Sequence, residues 1–235
     1  QWLLDPLPAD DAFFTEAMLQ WYDWHNPPQH VLKYAASDFA TTHGAGDYTV
    51  HGIIAADSND DLYVIDWWRQ QAATDVWIDS MCDLILKHKP LMWATEKGVL
   101  EKSVGPFLMR RMQERQAWCH LEPFTSATDK ATRAQSIRGR ASMGKLYVPR
   151  NAPWTQDLVH EMVRFPYGVH DDQVDVLSLF GRMLERMVGG SAPLERDQPE
   201  EDCYLRAKRR MMRKGRKAWF VCEGYGRDWR ELDRY

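Results

Sequence analysis

The sequence predicts an α/β fold built on one mixed sheet flanked by helices. Three strand-like apolar runs follow one another on short turns, at about 31–38, 47–56 and 62–69. After them, helical and strand-like segments alternate, which is typical of parallel strands with crossover helices. The chain has 235 residues, of which 44% are hydrophobic, so it is long enough for one substantial core with appendages.

The first half predicts a helix and then an antiparallel meander. Residues 10–24 carry acidic residues first and apolar residues at helical spacing, and Asn26-Pro27-Pro28 ends this predicted helix. The Ser-Asn-Asp-Asp turn at 58–61 joins the second and third strands into a hairpin. A looser turn at 43–46 joins the first two. Short turns connect antiparallel neighbours, so the three strands form a meander.

The second half predicts alternating helices and parallel strands. Helical patterns cover 74–89 and 100–116, and short apolar strands follow them at 91–96 and 118–124. Further helices are predicted over 129–144, 153–163 and 171–188. A Gly-Gly-Ser break and a polar linker come next. The predicted domains are therefore an N-terminal linker and helix at 1–28, a core at 29–190, and a linker with a basic tail at 191–235.

Composition restricts the classes of function. The net charge of −4 argues against non-specific DNA binding, but residues 130–156 contain no acid, and eight of twelve residues in 206–217 are basic. No apolar stretch approaches the roughly 20 residues that span a bilayer, so no membrane partner is expected. The four cysteines form no CxxC pair, which favours a reduced protein over a zinc site. There is no phosphate-loop motif.

Acidic residues stand in three places that suit a metal-dependent nuclease. Asp38 and Glu96 each end an apolar strand, and His-Asp-Asp-Gln-Val-Asp at 170–175 opens an apolar helix. Carboxylates at strand ends point into the crevice beside a sheet. Acids that lie close together repel unless a cation sits between them, and hard oxygen ligands favour Mg²⁺ or Mn²⁺.

Simpler explanations exist for each residue alone. Asp38 is also suited to capping a turn, and a helix start favours acids through its dipole. The dipole does not explain Asp175, which lies three residues after Asp172 on the same helical face. A charge-bearing Glu96 at the end of a buried strand goes against β-propensity. The combination therefore predicts one acidic site.

This order of elements resembles the ribonuclease H-like fold, in which the first and fourth strands are neighbours. Three segments also resemble the nuclease domain of tailed-bacteriophage large terminases, at 37–54, 93–108 and 129–180. The last contains, in order, a DKxxRA helix, a G-K-x-Y-x-P turn, a Trp, a Phe-Pro and an HDDxxD helix. The resemblance covers nearly the whole chain.

The resemblance implies a ribonuclease H-like endonuclease that cuts concatemeric viral DNA during genome packaging with two Mg²⁺ or Mn²⁺ ions. Asp38, Glu96 and Asp172 match the catalytic, metal-binding acids of the family. Asp171 and Asp175 match flanking positions, and which of them joins the metal is open. The implied partners are double-stranded DNA, a motor ATPase domain, the portal and the small terminase subunit. The implied location is the host cytoplasm, transiently on the procapsid.

Basic residues near these motifs predict the DNA contacts: Lys97, Lys130, Arg133, Arg138, Arg140 and Lys145. The segment from Lys130 to Arg150 is expected to follow DNA across the active site. The basic tail is expected to hold DNA, to dock on a partner or to fold back on the core. Two rival functions stay open: another ribonuclease H-like enzyme, such as a Holliday-junction resolvase or transposase, and a non-catalytic DNA- or portal-docking module.

Overall fold

A seven-stranded mixed sheet is the centre of the computed structural model, which describes residues 12–40, 48–98, 104–125 and 129–191. The strands are β1 (Gln20–Tyr22), β2 (Leu32–Asp38), β3 (Thr49–Ala56), β4 (Leu62–Gln70), β5 (Met92–Glu96), β6 (His120–Phe124) and β7 (Leu146–Pro149). Their order in the sheet is β1-β7-β4-β3-β2-β5-β6. The helices are α1 (Thr74–His88), α2 (Gly105–Arg115), α3 (Lys130–Ser142), α4 (Thr155–Arg164) and α5 (Asp172–Met183), with short 3-10 helices at Glu16–Met18 and Leu184–Arg186.

The predicted meander is confirmed, because β2 pairs antiparallel with β3 and β3 with β4. The turn between β3 and β4 is held by Asp57, whose carboxylate accepts hydrogen bonds from the backbone N–H groups of Asn59 and Asp61. Asp60 takes the positive φ that this turn requires, at 63°. The predicted turn at 43–46 lies outside the described residues.

The predicted parallel half is also confirmed. β5 pairs parallel with β2, with Ser37 opposite Thr95, and β6 pairs parallel with β5. Helices α1 and α2 make the crossovers that parallel strands need. β2 is therefore central, with the first meander strand next to the first strand of the parallel half. This adjacency sets the carboxyl ends of β2 and β5 side by side.

Two strands at one end of the sheet differ from the expectation. The helix predicted over residues 10–24 is wrong: the described part forms only one 3-10 turn and β1. The segment expected to be a turn contains β7, which pairs parallel with both β1 and β4. Phe14 and Leu19 are buried in the core, so the apolar residues of this segment pack on the sheet without forming a helix face.

Helices cover both faces of the sheet. The described helices α1 and α2 pack on one face, around Trp77, Met81 and Trp93. Helices α3, α4 and α5 lie on the other, and α5 is buried over most of its length. Gly181 of α5 allows α3 to approach closely, since a Cβ there would lie 2.9 Å from the backbone nitrogen of Ile137. The close packing of α3 on α5 fixes where the first turn of α3 lies.

In the part of the chain that the structure describes, no helix has the length and apolar character needed to cross a membrane. The predicted basic tail at 206–217 lies outside the described residues, and so does the start of the helix predicted at 100–116.

Candidate metal-binding active site

One row of side chains crosses the sheet at the carboxyl ends of β2 and β5. Asp38 lies opposite Val50 of β3, and Val50 lies opposite Arg69 of β4. On the other side, the pairing of Ser37 with Thr95 makes Glu96 the next neighbour of Asp38. Residues directly opposite one another in a sheet share a face. The row therefore runs Arg69, Val50, Asp38, Glu96 on the face that α5 covers.

The start of α5 adds two more acids above this row. Asp172 and Asp175 lie in its first turn and expose only 13% of their side chains each. Burial, and then the charges of Asp175, Glu96 and Asp172, raise the pKa of Asp38 from 3.8 to about 8. The charges of three other predicted acids therefore act on Asp38. The structure brings together the residues that the sequence placed far apart.

Two cations from the first turns of α3 lie among these acids. Arg133 makes ion pairs with Glu96 at 2.6 Å and Asp175 at 3.2 Å, and only 10% of its side chain is exposed. Lys130 binds Asp171 at 2.6 Å and lies 3.3 Å from Asp175. Burial lowers the pKa of Lys130, but Asp171 and Asp175 outweigh it, so the pKa lies above its usual value.

The donor set fits a hard divalent cation. Five carboxylates face two cations, and burial together with the neighbouring acids raises the pKa of Asp38. Oxygen donors with excess negative charge suit Mg²⁺ or Mn²⁺. Among the described residues, no three acidic, His or Cys side chains form a ready-made cation cluster. Since Arg133 and Lys130 hold Glu96, Asp171 and Asp175, these acids must move or exchange partners to share a metal.

A buried acid that the sequence analysis missed anchors the start of α5. Glu161 of α4 is only 7% exposed and accepts hydrogen bonds from the backbone N–H and the side-chain amide of Gln173, each at 2.7 Å. The first N–H groups of a helix have no partner within the helix, so this contact satisfies one of them. Gln173 follows Asp172 directly, and Glu161 therefore fixes the acid-bearing turn. Glu161 lies within a short amphipathic segment, and the sequence of that segment does not indicate that the Glu161 side chain is buried.

The predicted DNA contacts divide into two groups. Lys97 is exposed beside Glu96, and Lys130 and Arg133 lie in the acidic site. Arg138 donates to the backbone oxygen of Phe13 at 2.8 Å. Arg140 and Lys145 bind backbone oxygens of the turn after β3. That turn is six residues of β3 away from the Asp38 row, which is roughly 20 Å.

The expectation that the segment from Lys130 to Arg150 follows DNA across the active site stays a prediction, but only part of this segment lies at the acids. Helix α3 runs along the sheet for 13 residues, about 20 Å, so only its first turns reach the acids. Arg133 is directed into the acidic site, whereas Arg140 binds the turn after β3. Contact of Arg138, Arg140 and Lys145 with DNA stays a prediction, but at a distance from the acids.

His170 and Tyr48 form a small aromatic contact next to Asp172. Their rings meet edge to face at 5.3 Å, and Nδ1 of His170 is 4.0 Å from Asp172. The guanidinium of Arg69 lies 3.7 Å above the centre of the Tyr48 ring. These three residues border the acids on the β4 side, opposite Arg133.

A neutral network lies behind the acids on the other face of the sheet. Trp93 donates to Ser37 Oγ at 2.8 Å, and Ser37 Oγ lies 2.6 Å from His51 Nδ1. His51 Nε2 donates to the backbone oxygen of Trp77 at 3.0 Å. Because a carbonyl only accepts, Nε2 carries the proton and Nδ1 accepts from Ser37. Burial lowers the pKa of His51 to about 4, consistent with a neutral ring.

The fold and the family are both matched by known proteins. One similar structure is the large terminase nuclease from thermophilic phage G20c with bound magnesium, with a TM-score of 0.55, 16% identity and coverage of 74% of this chain and 98% of that chain. A second is the large terminase from another thermophilic bacteriophage, with a TM-score of 0.53, 11% identity and coverage of 73% of this chain and 43% of that chain. A third is the human cytomegalovirus terminase nuclease domain, with a TM-score of 0.51, 11% identity and coverage of 69% of this chain and 88% of that chain. At these identities the likeness establishes the ribonuclease H-like fold. Comparison with curated proteins gives no match. The family model described as the terminase RNaseH-like domain matches residues 35–184, and the chain therefore belongs to this family.

Proposed function

We propose that this chain is the nuclease domain of a viral terminase, and that it hydrolyses phosphodiester bonds of concatemeric DNA during packaging with two Mg²⁺ or Mn²⁺ ions. One observation carries the proposal: Asp38, Glu96 and the first turn of α5 meet at one end of the sheet, with too little positive charge to balance them. An excess of carboxylates costs stability, so its presence in a terminase-family fold favours a cation-dependent reaction.

The acids differ in their positions at the site. Asp38 lies between Glu96 on the neighbouring strand and Asp172 and Asp175 on α5. Asp38, Glu96 and Asp172 would hold the cations. Asp171 and Asp175 bind Lys130, and either of them would add a further oxygen ligand if Lys130 contacted DNA instead. When bound, two divalent cations activate a water and neutralise charge on the leaving oxygen.

The protein's own cations complete the chemistry. Half of the Lys130 side chain is exposed, so its ammonium can reach a phosphate at the mouth of the site. Arg133 is held more deeply, and it orients Glu96 through a 2.6 Å contact. Glu161 fixes the turn that carries Asp172 through its two bonds to Gln173. In this mechanism Lys130 contacts DNA, while Arg133 and Glu161 position the acids.

Related structures support the metal and the context. Structures of the phage G20c nuclease are described with bound magnesium, zinc and cobalt. We propose the same dependence on divalent ions for this chain. A motor ATPase domain, the portal and the small terminase subunit are the proposed partners in the packaging machine, with double-stranded DNA as substrate. The host cytoplasm is the proposed place of action.

Plasmid cleavage tests the function directly. Wild-type protein should cut supercoiled plasmid in Mg²⁺ or Mn²⁺, poorly in Ca²⁺ and not at all in excess EDTA, since calcium's larger and more flexible shell misplaces the attacking water. Asp38→Asn should not cut, whereas Asp66→Asn should cut normally. Asp66 is a matched control, because it is a partly buried acid that pairs with Lys87 and His88 away from the site. Cleavage in excess chelator, or by Asp38→Asn at the wild-type rate, would refute the proposal. A preference for four-way junctions over linear duplex would instead favour a resolvase.

A further inference from the structure

The DNA contacts predicted from the sequence leave one side of the acidic site without a cation. Lys130 and Arg133 border the acids on the β5 side, and Arg140 and Lys145 lie at the other end of the sheet. We propose that Arg69, held by Tyr48 and Glu161, binds a backbone phosphate of the DNA strand on the β4 side of the site. This proposal rests on the proposed function, since it takes DNA as the ligand.

Arg69 belongs to the same row of side chains as the acids. It lies opposite Val50, which lies opposite Asp38, so Arg69 and Asp38 share a face two strands apart. Neighbouring strands are about 4.8 Å apart, so their backbones are about 10 Å apart. That distance corresponds to about three base steps of duplex DNA at 3.4 Å each. A DNA strand that has a phosphate over Asp38 and runs across the sheet toward β4 passes within reach of Arg69.

The side chain is held in place by contacts on two sides. Its guanidinium stacks on the Tyr48 ring, 3.7 Å from the ring centre. This geometry fixes the plane of the guanidinium and leaves its N–H edge for an anion. Its contact with Glu161 is 3.5 Å long, well beyond the roughly 2.7–2.9 Å of a charge-assisted hydrogen bond. Both oxygens of Glu161 already accept from Gln173 at 2.7 Å. About 20% of the Arg69 side chain is exposed, so its charge is accessible.

The surroundings link Arg69 to the acid-bearing turn. Tyr48, below the guanidinium, packs edge to face against His170, which precedes Asp171. Tyr167 and Val169, in the loop between α4 and α5, are 77% and 94% exposed. Lys130 lies across the acids from this group. Phosphate contacts on both sides of a cleavage site fix the register of the strand, and they act on any sequence.

The alternative is that Arg69 only ties β4 to α4 through Glu161. Such a structural role would lower stability on mutation but would not change how DNA affinity depends on salt. Each phosphate contact adds about 0.9 to the slope of log K against log salt concentration. The salt slope therefore separates the two roles.

The test measures binding of a fluorescent DNA duplex to the full chain in EDTA, so that no cleavage takes place. Arg69→Gln should weaken binding about five- to tenfold near 0.1 M salt and lower the salt slope by about one. Arg69→Lys, which keeps the charge, should keep the slope and lose less affinity. Arg115→Gln is the matched control, because Arg115 is a similarly half-buried, ion-paired arginine on α2. It should bind like wild type.

An unchanged slope in Arg69→Gln would overturn the proposal, whether or not its thermal unfolding changes. A lowered slope in Arg140→Gln in place of Arg69→Gln would also overturn it, because the DNA would then follow α3. Arg69→Lys provides a folded comparison if Arg69→Gln unfolds, and a reduced slope in that lysine variant would count against the proposal. If wild-type protein binds DNA with this pattern but never cuts in Mg²⁺ or Mn²⁺, the proposed nuclease function fails while the phosphate contact stands.

Discussion

Ser37 and Asp38 are neighbours on β2, but their side chains lie on opposite faces of the sheet and in different electrostatic surroundings. Ser37 enters a closed, neutral network in which every polar atom from Trp93 to the Trp77 carbonyl has a partner. Asp38 lies in a buried group of acids, where burial first and then the neighbouring negative charges raise its pKa to about 8. A buried polar group costs little when it is satisfied and much when it is not. The Ser37 network is therefore a source of stability, whereas the acidic group around Asp38 is held at a cost.

This contrast distinguishes residues that matter for stability from residues that matter for the proposed reaction. Mutations in the Ser37 network should lower the free energy of unfolding and spare the chemistry of the proposed reaction. Mutations of the acids around Asp38 should do the reverse, since relieving repulsion stabilises the protein while removing a proposed ligand for the cations. The expected effects below run from the largest to the smallest.

Asp38→Asn should lower plasmid cleavage by at least about a thousandfold and yet stabilise the metal-free protein. The substitution is nearly isosteric and removes the carboxylate that the other acids repel. An increase of about 1–3 kcal/mol in the free energy of unfolding is expected in EDTA at pH 8. Urea unfolding and a cleavage assay on the same preparation measure both. A destabilised variant would show that Asp38 is not under repulsion.

Glu96→Gln and Asp172→Asn should each cause a comparable loss of cleavage, and the double variant should lose little more. Residues that act as one catalytic unit are not additive. Single-turnover rates for the two single variants and the double variant measure this. Retention of most activity by either single variant would place that residue outside the site.

His51→Leu should reduce the free energy of unfolding by about 2–4 kcal/mol, because it leaves the Ser37 hydroxyl and the Trp77 carbonyl without their partner. Protein that is folded should still cut DNA at a similar rate. His160→Gln serves as the control, since His160 is an exposed residue of α4 and should change stability by less than about 0.5 kcal/mol. Equal stability of His51→Leu and wild type would refute the role of this network.

Glu161→Gln should lower the cleavage rate about tenfold, because an amide offers one acceptor oxygen where Gln173 now uses two. The cleavage rate at saturating Mn²⁺ and the Mn²⁺ affinity, measured separately, show whether the acid-bearing turn has moved. A normal rate would show that α5 is positioned by packing alone.

The Ser37 network and the acidic group around Asp38 should also differ in the sign of their pH dependence. Between pH 4 and about 8, folded metal-free protein keeps a proton on Asp38 that the unfolded chain releases, so stability falls as pH rises. His51 acts oppositely. The unfolded chain binds a proton below about 6.5, and folded protein only near 4, so stability falls as pH falls through that range. Unfolding in EDTA from pH 5 to 8 should show the first slope lost in Asp38→Asn and the second lost in His51→Leu.

Much of this arrangement could be predicted because its signals are local. Turn residues at 58–61 and apolar runs predict the meander, and the adjacency of β2 and β5 follows from the fold that this order of elements resembles. Asp38, Glu96 and the 170–175 cluster end or begin elements, so their convergence follows from that topology.

The remainder depends on contacts between distant parts of the chain. Strands β1 and β7 have only three and four residues, too few to show a period. Arg133 looks like any basic residue of a polar helix until α5 and β5 bring Glu96 and Asp175 to it. The roles of Arg69 and Glu161 likewise depend on a contact between two residues that are 92 positions apart in the sequence. Charge composition alone could not separate cations that face the acids from those at the far end of the sheet.

Strand β1 has a practical consequence for any fragment of this protein. Its three residues cover the outer edge of β7, and Phe14 and Leu19 before it are buried. A fragment that begins at residue 29, the predicted start of the core, would expose the backbone N–H and C=O groups of β7 and the apolar surface beneath them. Uncovered strand edges invite pairing between molecules. Such a fragment should self-associate, whereas one that keeps residues 12–28 should stay monodisperse.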